Sequence, residues 1–251
     1  MDFFQTIDIY CERTDPSFWA EPVNAITNAA FLIVAYVLYR AYRHTCHPTA
    51  QRDWPSVILI ALIATIGIGS FLFHSFANTW SMLADVIPIA LFIWFYLFAF
   101  LRRFAHTRPL IIILAYAAFA ALNWAIARYV PGEMVNNSQS YFPALIAMAL
   151  MGGYLFYQSV RNYPSSLGEA ETMGVHRFRG GAPSEPPPEG GGEWRYYALA
   201  VMAFTASLIF RTLDPLVCAE IALGTHFLWH ILNAVTLYLV ARAVMPTRAE
   251  I

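Results

Sequence analysis

The sequence predicts an all-α membrane protein: a seven-helix transmembrane bundle with its N-terminus outside and its C-terminus in the cytoplasm. Three observations carry this. Hydrophobic residues make up 59% of the 251 and charged residues only 12%, whereas a soluble domain is about a quarter charged. Seven stretches are apolar over about 20 residues, the length that crosses a bilayer as a helix. The arginines, finally, fall unevenly among the loops between those stretches. A net charge of −1 argues against nucleic acid or an acidic surface as partner.

The elements follow in order. The opening, MDFFQTIDIYCERTD, has no basic n-region and is broken by Asp2, Asp8, Glu12 and Arg13. It does not read as a cleavable signal peptide, and residues 1–21 are expected as an extracytoplasmic segment. A membrane domain over 22–245 follows, with spans near 22–42, 55–76, 80–101, 109–129, 141–160, 195–212 and 218–244. The run from Trp54 to Ala84 contains no Asp, Glu, Lys or Arg and is too long for one helix. The sequence SFANTW is its natural turn, with Asn78 as the turn residue, so residues 69–88 form a helical hairpin. Asn24 and Asn28, one turn apart in the first span, suit hydrogen bonds between helices. Between spans five and six, residues 162–194 include GGAPSEPPPEGGGEW, a composition that cannot bury enough apolar surface to order itself. A flexible cytoplasmic linker is expected there. Trp19, Trp54, Trp80 and Trp194 lie near helix ends and suit interface anchoring.

Seven spans put the 40–54, 102–108 and 161–195 loops on the same side as the C-terminal tail. That side holds 12 of the 15 arginines and the other side 3, so the positive-inside rule makes it cytoplasmic. A bacterial inner membrane fits this topology.

Ionisable residues within the apolar spans are the functional signal, because each is costly to keep there. Ser70 and His74 lie one turn apart near the outer end of span two, and Asp85 lies one to two turns into span three. His226 and His230, at i and i+4, share a face of span seven, two to three turns in if that span starts at 218. All five groups then fall in the outer half of the bilayer. Three imidazoles around one divalent ion with a fourth position open is the recipe for catalytic zinc, which lowers the pKa of bound water to about 7. A soluble H-E-x-x-H protease takes its base from the intervening Glu, but here Phe227, Leu228 and Trp229 intervene. Asp85 is read as the only carboxylate in the membrane near that depth and is assigned as proton acceptor and then donor. Ser70 is assigned to the developing oxyanion. Packing histidines, two-ligand haem or a proton relay through Asp85 are the alternatives. Haem explains neither Ser70 nor Asp85.

S-x3-H, an Asp eleven residues after that His, and H-x3-H in the last span together resemble the alkaline ceramidase family, and beyond it the seven-helix superfamily that includes adiponectin and progestin receptors. DIYCER and AEPVNAITNAAF near the N-terminus resemble the opening motif of the ceramidase branch. The resemblance implies hydrolysis of the amide of a ceramide-like membrane lipid to a sphingoid base and a fatty acid. It implies zinc on His74, His226 and His230, with Ser70 and Asp85 in the roles given above. A related lipid ester or amide hydrolase, or a receptor with structural zinc, stays open beside it. The family also carries calcium in its N-terminal segment. Glu12 and Glu21 match its two Glu positions, the Tyr10 carbonyl matches a further ligand, and Asp15 is a substitute where Thr14 replaces an Asn. Here the pattern departs: Ile9 stands where the family has Asp, and the spacing between the two Glu is two residues shorter. A solvated acidic segment is the alternative to calcium.

Topology puts Cys11 and Cys218 outside and Cys46 inside. The outer compartment permits disulfides, so Cys11 is expected to pair with Cys218, with free thiols as the alternative.

Overall fold

The computed structural model describes residues 2–45, 53–105, 108–161 and 192–246. Within them, seven apolar helical segments are long enough to span a membrane: Pro22–Thr45, Trp54–Phe76, Thr79–Phe104, Pro109–Tyr129, Ser138–Arg161, Glu193–Leu216 and His226–Val244. The fold is all-α, with the linker expected over 162–194 and Cys46 lying outside the described residues, apart from the linker's last three positions.

The first span is two helices, α1 (Pro22–Thr27) and α2 (Ala29–Thr45), joined at Asn28. The two asparagines there bond locally rather than across helices. Asn28 Nδ2 donates to the Asn24 carbonyl at 2.8 Å, and Asn24 Nδ2 to Glu21 at 3.2 Å. The next two spans are α3 (Trp54–Phe76) and α4 (Thr79–Phe100), the latter running on into a π-helical turn, Leu101–Ala105. Asn78 is not the turn centre but the N-cap of α4: its side chain accepts from the Ser81 amide in a capping box, and Ala77 takes the left-handed conformation at φ 43°. The N-terminal segment lies over this turn, with the Ile7 amide donating to Ala77 O at 2.8 Å and the Trp80 amide to Phe3 O at 3.0 Å.

Pro88 sits inside α4 and has no N–H for the carbonyl of Ala84, four residues before it. Gly69 of α3 packs against that same carbonyl: a Cβ added there would stand 2.0 Å from Ala84 O. A proline in one helix and a glycine in the other thus allow close approach at the level of Ser70 and Asp85.

The remaining spans are built on α5 (Pro109–Tyr129), α6 (Phe142–Arg161), α7 (Glu193–Leu213) and α8 (His226–Val244). Packing runs α4, α3, α2, α8, α7, α6, α5. The ring closes where Tyr116 Oη of α5 donates to Trp94 O of α4 at 2.8 Å. Leu38, Leu59 and Ile63 are fully buried between helices, while Ile33, Ile113, Leu150 and Met202 point outward and are 60% or more exposed. An apolar exterior of this extent suits lipid.

The last span begins at His226, not near 218. The apolar run before it folds into turns closed by Val217 N to Asp214 O at 3.2 Å, Ile221 N to Val217 O at 2.8 Å and Gly224 N to Ile221 O at 2.7 Å. Gly224 adopts φ +65°, and a Cβ on it would stand 2.2 Å from Asp214 Oδ1. Hydropathy does not register such a stop, because Leu216, Val217, Ile221 and Leu223 are apolar whether helical or not.

Candidate metal centre

α3 delivers Ser70 and His74, α4 delivers Asp85, and α8 delivers His226 and His230 from its first two turns. The helices bring these residues to one level of the bundle, and His226 is the first residue of its helix rather than two to three turns in. The three rings converge. Their centroids are 5.1 Å (His74–His226), 4.6 Å (His74–His230) and 4.7 Å (His226–His230) apart. One nitrogen from each lies within 4.8 Å of the others, and each residue is 2% exposed or less.

The second nitrogens decide which atoms face the centre. His74 Nδ1 bonds Glu21 Oε2 at 2.6 Å. His230 Nδ1 lies 2.9 Å from Thr27 Oγ1, whose own proton goes to the carbonyls of Val23 and Asn24 at 2.8 and 3.0 Å. Thr27 therefore accepts from His230. Each bond fixes a tautomer and frees Nε2 as a lone-pair donor. His74 Nε2, His230 Nε2 and His226 Nδ1 are buried without a hydrogen-bond partner among the described residues. Orphaned buried nitrogens are costly, and three histidines that each offer a nitrogen within 4.8 Å of the others fit a metal of borderline softness such as zinc. Among the described residues no fourth side chain joins the cluster.

Asp85 is not the only carboxylate at this depth. Glu21 is buried against His74, and Asp214 is fully buried. Asp214 Oδ1 accepts from the amides of Thr225 at 2.7 Å and His226 at 2.8 Å, and Oδ2 from the Cys11 amide at 3.2 Å. It caps α8 and so sets where His226 stands. A carboxylate in LDPLVC, directly after an apolar span, was its sequence signal. Thr27 carried no signal beyond lying on the turn that follows Glu21 and Asn24.

Asp85 Oδ1 is buried with no partner among the described residues. Ser70 and Asp85 line one open pocket together with His230. It runs between α3, α4 and α8, past Phe92 and Met148, to Tyr96 and Val240. The walls are mostly apolar; beyond the histidine end the polar lining residues are Tyr141, Asn233, Thr236 and Tyr96, and the Tyr96 hydroxyl bonds Tyr197 Oη at 2.6 Å and the Val240 carbonyl at 2.9 Å.

The four residues expected at calcium do not converge on a vacant oxygen cage. Glu12 takes the amides of Val23 and Asn24 at 2.7 and 2.8 Å, at the start of α1, where a negative charge suits the helix. Glu21 is bound to Arg13, His74 and Asn24. Its burial pushes the carboxyl pKa up, but His74 and Arg13 outweigh that and hold it below the ordinary value. Asp15 is exposed; the Ser17 hydroxyl, and then the Ser17 amide that donates to the carboxylate at 2.7 Å, lower its pKa. The Tyr10 carbonyl accepts from the Arg13 amide at 3.2 Å. The Tyr10 ring stacks on His226, with centroids 3.7 Å apart, and burial raises its phenol pKa. Calcium, which wants six to eight oxygens, does not fit this arrangement. Cys11 and Cys218 are joined by a disulfide with Cα atoms 5.0 Å apart, tying this segment to the turns before α8.

No curated protein matches the chain. A family model described as Ceramidase matches residues 7–250. The match takes in the N-terminal segment, the α3–α4 hairpin and both histidines of α8. The chain therefore belongs to the ceramidase family, and with its three-histidine site it is a zinc-dependent amide hydrolase of the membrane.

Proposed function

We propose that the chain cleaves the amide of a ceramide-like lipid at the histidine end of the cavity, with His74, His226 and His230 holding zinc. Zinc, when bound, supplies Lewis acidity: it polarises a carbonyl and brings the ionisation of water toward neutral pH. Asp85 orients the attacking water and takes its proton as the water oxygen joins the carbonyl carbon. Ser70 donates to the carbonyl oxygen as charge builds on it. Asp85 then returns the proton to the amine nitrogen as the C–N bond breaks, leaving a fatty acid and a sphingoid base. The apolar cavity wall excludes water from the remainder of the site and accepts a lipid chain.

The observation that carries this reading is the cluster of three buried histidines, each offering a nitrogen within 4.8 Å of the others, with no fourth His, Cys, Asp or Glu joining them among the described residues. Structural zinc takes four protein ligands, whereas catalytic zinc keeps a position open. The arginine bias supports an outward-facing N-terminus and a cytoplasmic C-terminus, with residues 1–21 outside, 22–245 as the membrane domain and a bacterial inner membrane as the setting. The test is product release by the purified protein from ceramides of several chain lengths, with and without a zinc chelator. Release of sphingoid base that stops with the chelator is expected and returns with added zinc. Cleavage of lipid esters but of no ceramide would move the reading to a related hydrolase.

A further inference from the structure

Arg13 is 6% exposed and takes no part in the chemistry above. A buried guanidinium must find oxygen partners, and this one finds four. Nε meets Glu21 Oε1 at 2.6 Å. Nη1 donates to the carbonyls of Asp15 at 3.2 Å and Ser17 at 3.4 Å, and Nη2 to the carbonyl of His74 at 3.0 Å. One carboxylate and three main-chain oxygens are the kind of donor set that would surround a bound cation in such a loop. The other Glu21 oxygen bonds His74 Nδ1 at 2.6 Å. Arg13 thus holds His74 twice, by its backbone and, through Glu21, by its ring.

We infer that Arg13 is a cation built into the chain: it takes an oxygen of Glu21, a residue expected at calcium, together with three main-chain carbonyls, and positions His74 as a metal ligand, so that the site assembles without calcium. The inference rests on the reading of His74 as a zinc ligand. The planar fork of the guanidinium matters. It spans a carboxylate and carbonyls in three directions, which a lysine ammonium cannot reproduce. Partners one step removed from a metal typically change its affinity by roughly 10–100-fold.

The experiment uses the full chain in detergent, without substrate. Zinc affinity is measured by competition with a chromogenic chelator, for the wild type, Arg13→Ala and Arg13→Lys. The visible spectrum of the cobalt-substituted protein is recorded for each. Calcium binding to the wild type is measured by calorimetry. The expected result is roughly 10–100-fold weaker zinc binding in Arg13→Ala, partial recovery in Arg13→Lys, and a cobalt spectrum altered by the released His74 ring. The wild type is expected to give no calcium heat and to hold zinc equally well with or without calcium. Unchanged zinc affinity and cobalt spectrum in a folded Arg13→Ala protein would overturn the inference. So would stoichiometric calcium binding to the wild type, an arm that needs no variant to fold. A wild type that takes up no zinc removes the metal reading itself, which separates that failure from this one.

Discussion

The α3–α4 hairpin and the segment from Asp214 to His230 bring different parts to one centre in different ways. In the hairpin, sequence order is spatial order: Ser70, His74 and Asp85 sit on two regular helices joined by a two-residue turn, and Gly69 and Pro88 let the helices meet. In the second segment the decisive contacts are long-range. His226 stands where it does because Asp214, twelve residues earlier, caps its helix, and because Cys11, 207 residues from Cys218, anchors the turns between. Helical periodicity alone therefore builds the hairpin's geometry, whereas carboxylate and disulfide tethers build the segment's. The hairpin carries the proposed chemical groups, Ser70 and Asp85, beside one metal ligand, His74, whereas the segment carries metal ligands alone.

Three substitutions test that division. The largest effect is expected from Asp85→Asn, which keeps the shape but removes the proton acceptor. Turnover should fall by roughly 10²–10⁴-fold while elemental analysis finds zinc retained; a variant that turns over normally would take Asp85 out of the reaction. Asp214→Ala comes next. It strands three amides, of Thr225, His226 and Cys11, that share one carboxylate acceptor, and a hydrogen bond to a charged group contributes about 1.5–3 kcal/mol. A lower melting temperature and weaker zinc binding are expected, with turnover restored by excess zinc. If turnover stays low at saturating zinc, the segment is part of the chemistry and the division breaks. The smallest effect should come from Thr27→Val, which leaves His230 Nδ1 unpaired at a cost of about 1–3 kcal/mol. Zinc affinity should drop by roughly ten-fold or more, and the melting temperature should fall further in the zinc-bound than in the metal-free protein. Equal losses in the metal-free protein would make Thr27 a packing residue only.

The N-terminal segment sharpens the comparison. Read in sequence, Glu12, Glu21, Tyr10 and Asp15 suggest one cation site. In space they separate. Glu12 caps α1, Tyr10 lies on His226, and Glu21 joins Arg13 to His74. Main-chain amides satisfy Glu12, Asp15 and the Tyr10 carbonyl, and the guanidinium of Arg13 takes Glu21.

By itself the sequence determined the seven apolar spans, the hairpin between the second and third, and the histidines and aspartate that share a depth. These follow from local periodicity and from the cost of placing ionisable groups in hydrocarbon, and neither depends on distant residues. Tertiary structure alone decided the late start of α8, the break at Asn28, the Thr27 and Glu21 partners of the histidines, and the Arg13 clamp. Each is a hydrogen bond between groups far apart in the chain or a backbone turn inside an apolar run. Hydropathy is blind to both, because it counts what a residue is and not which polar group it meets.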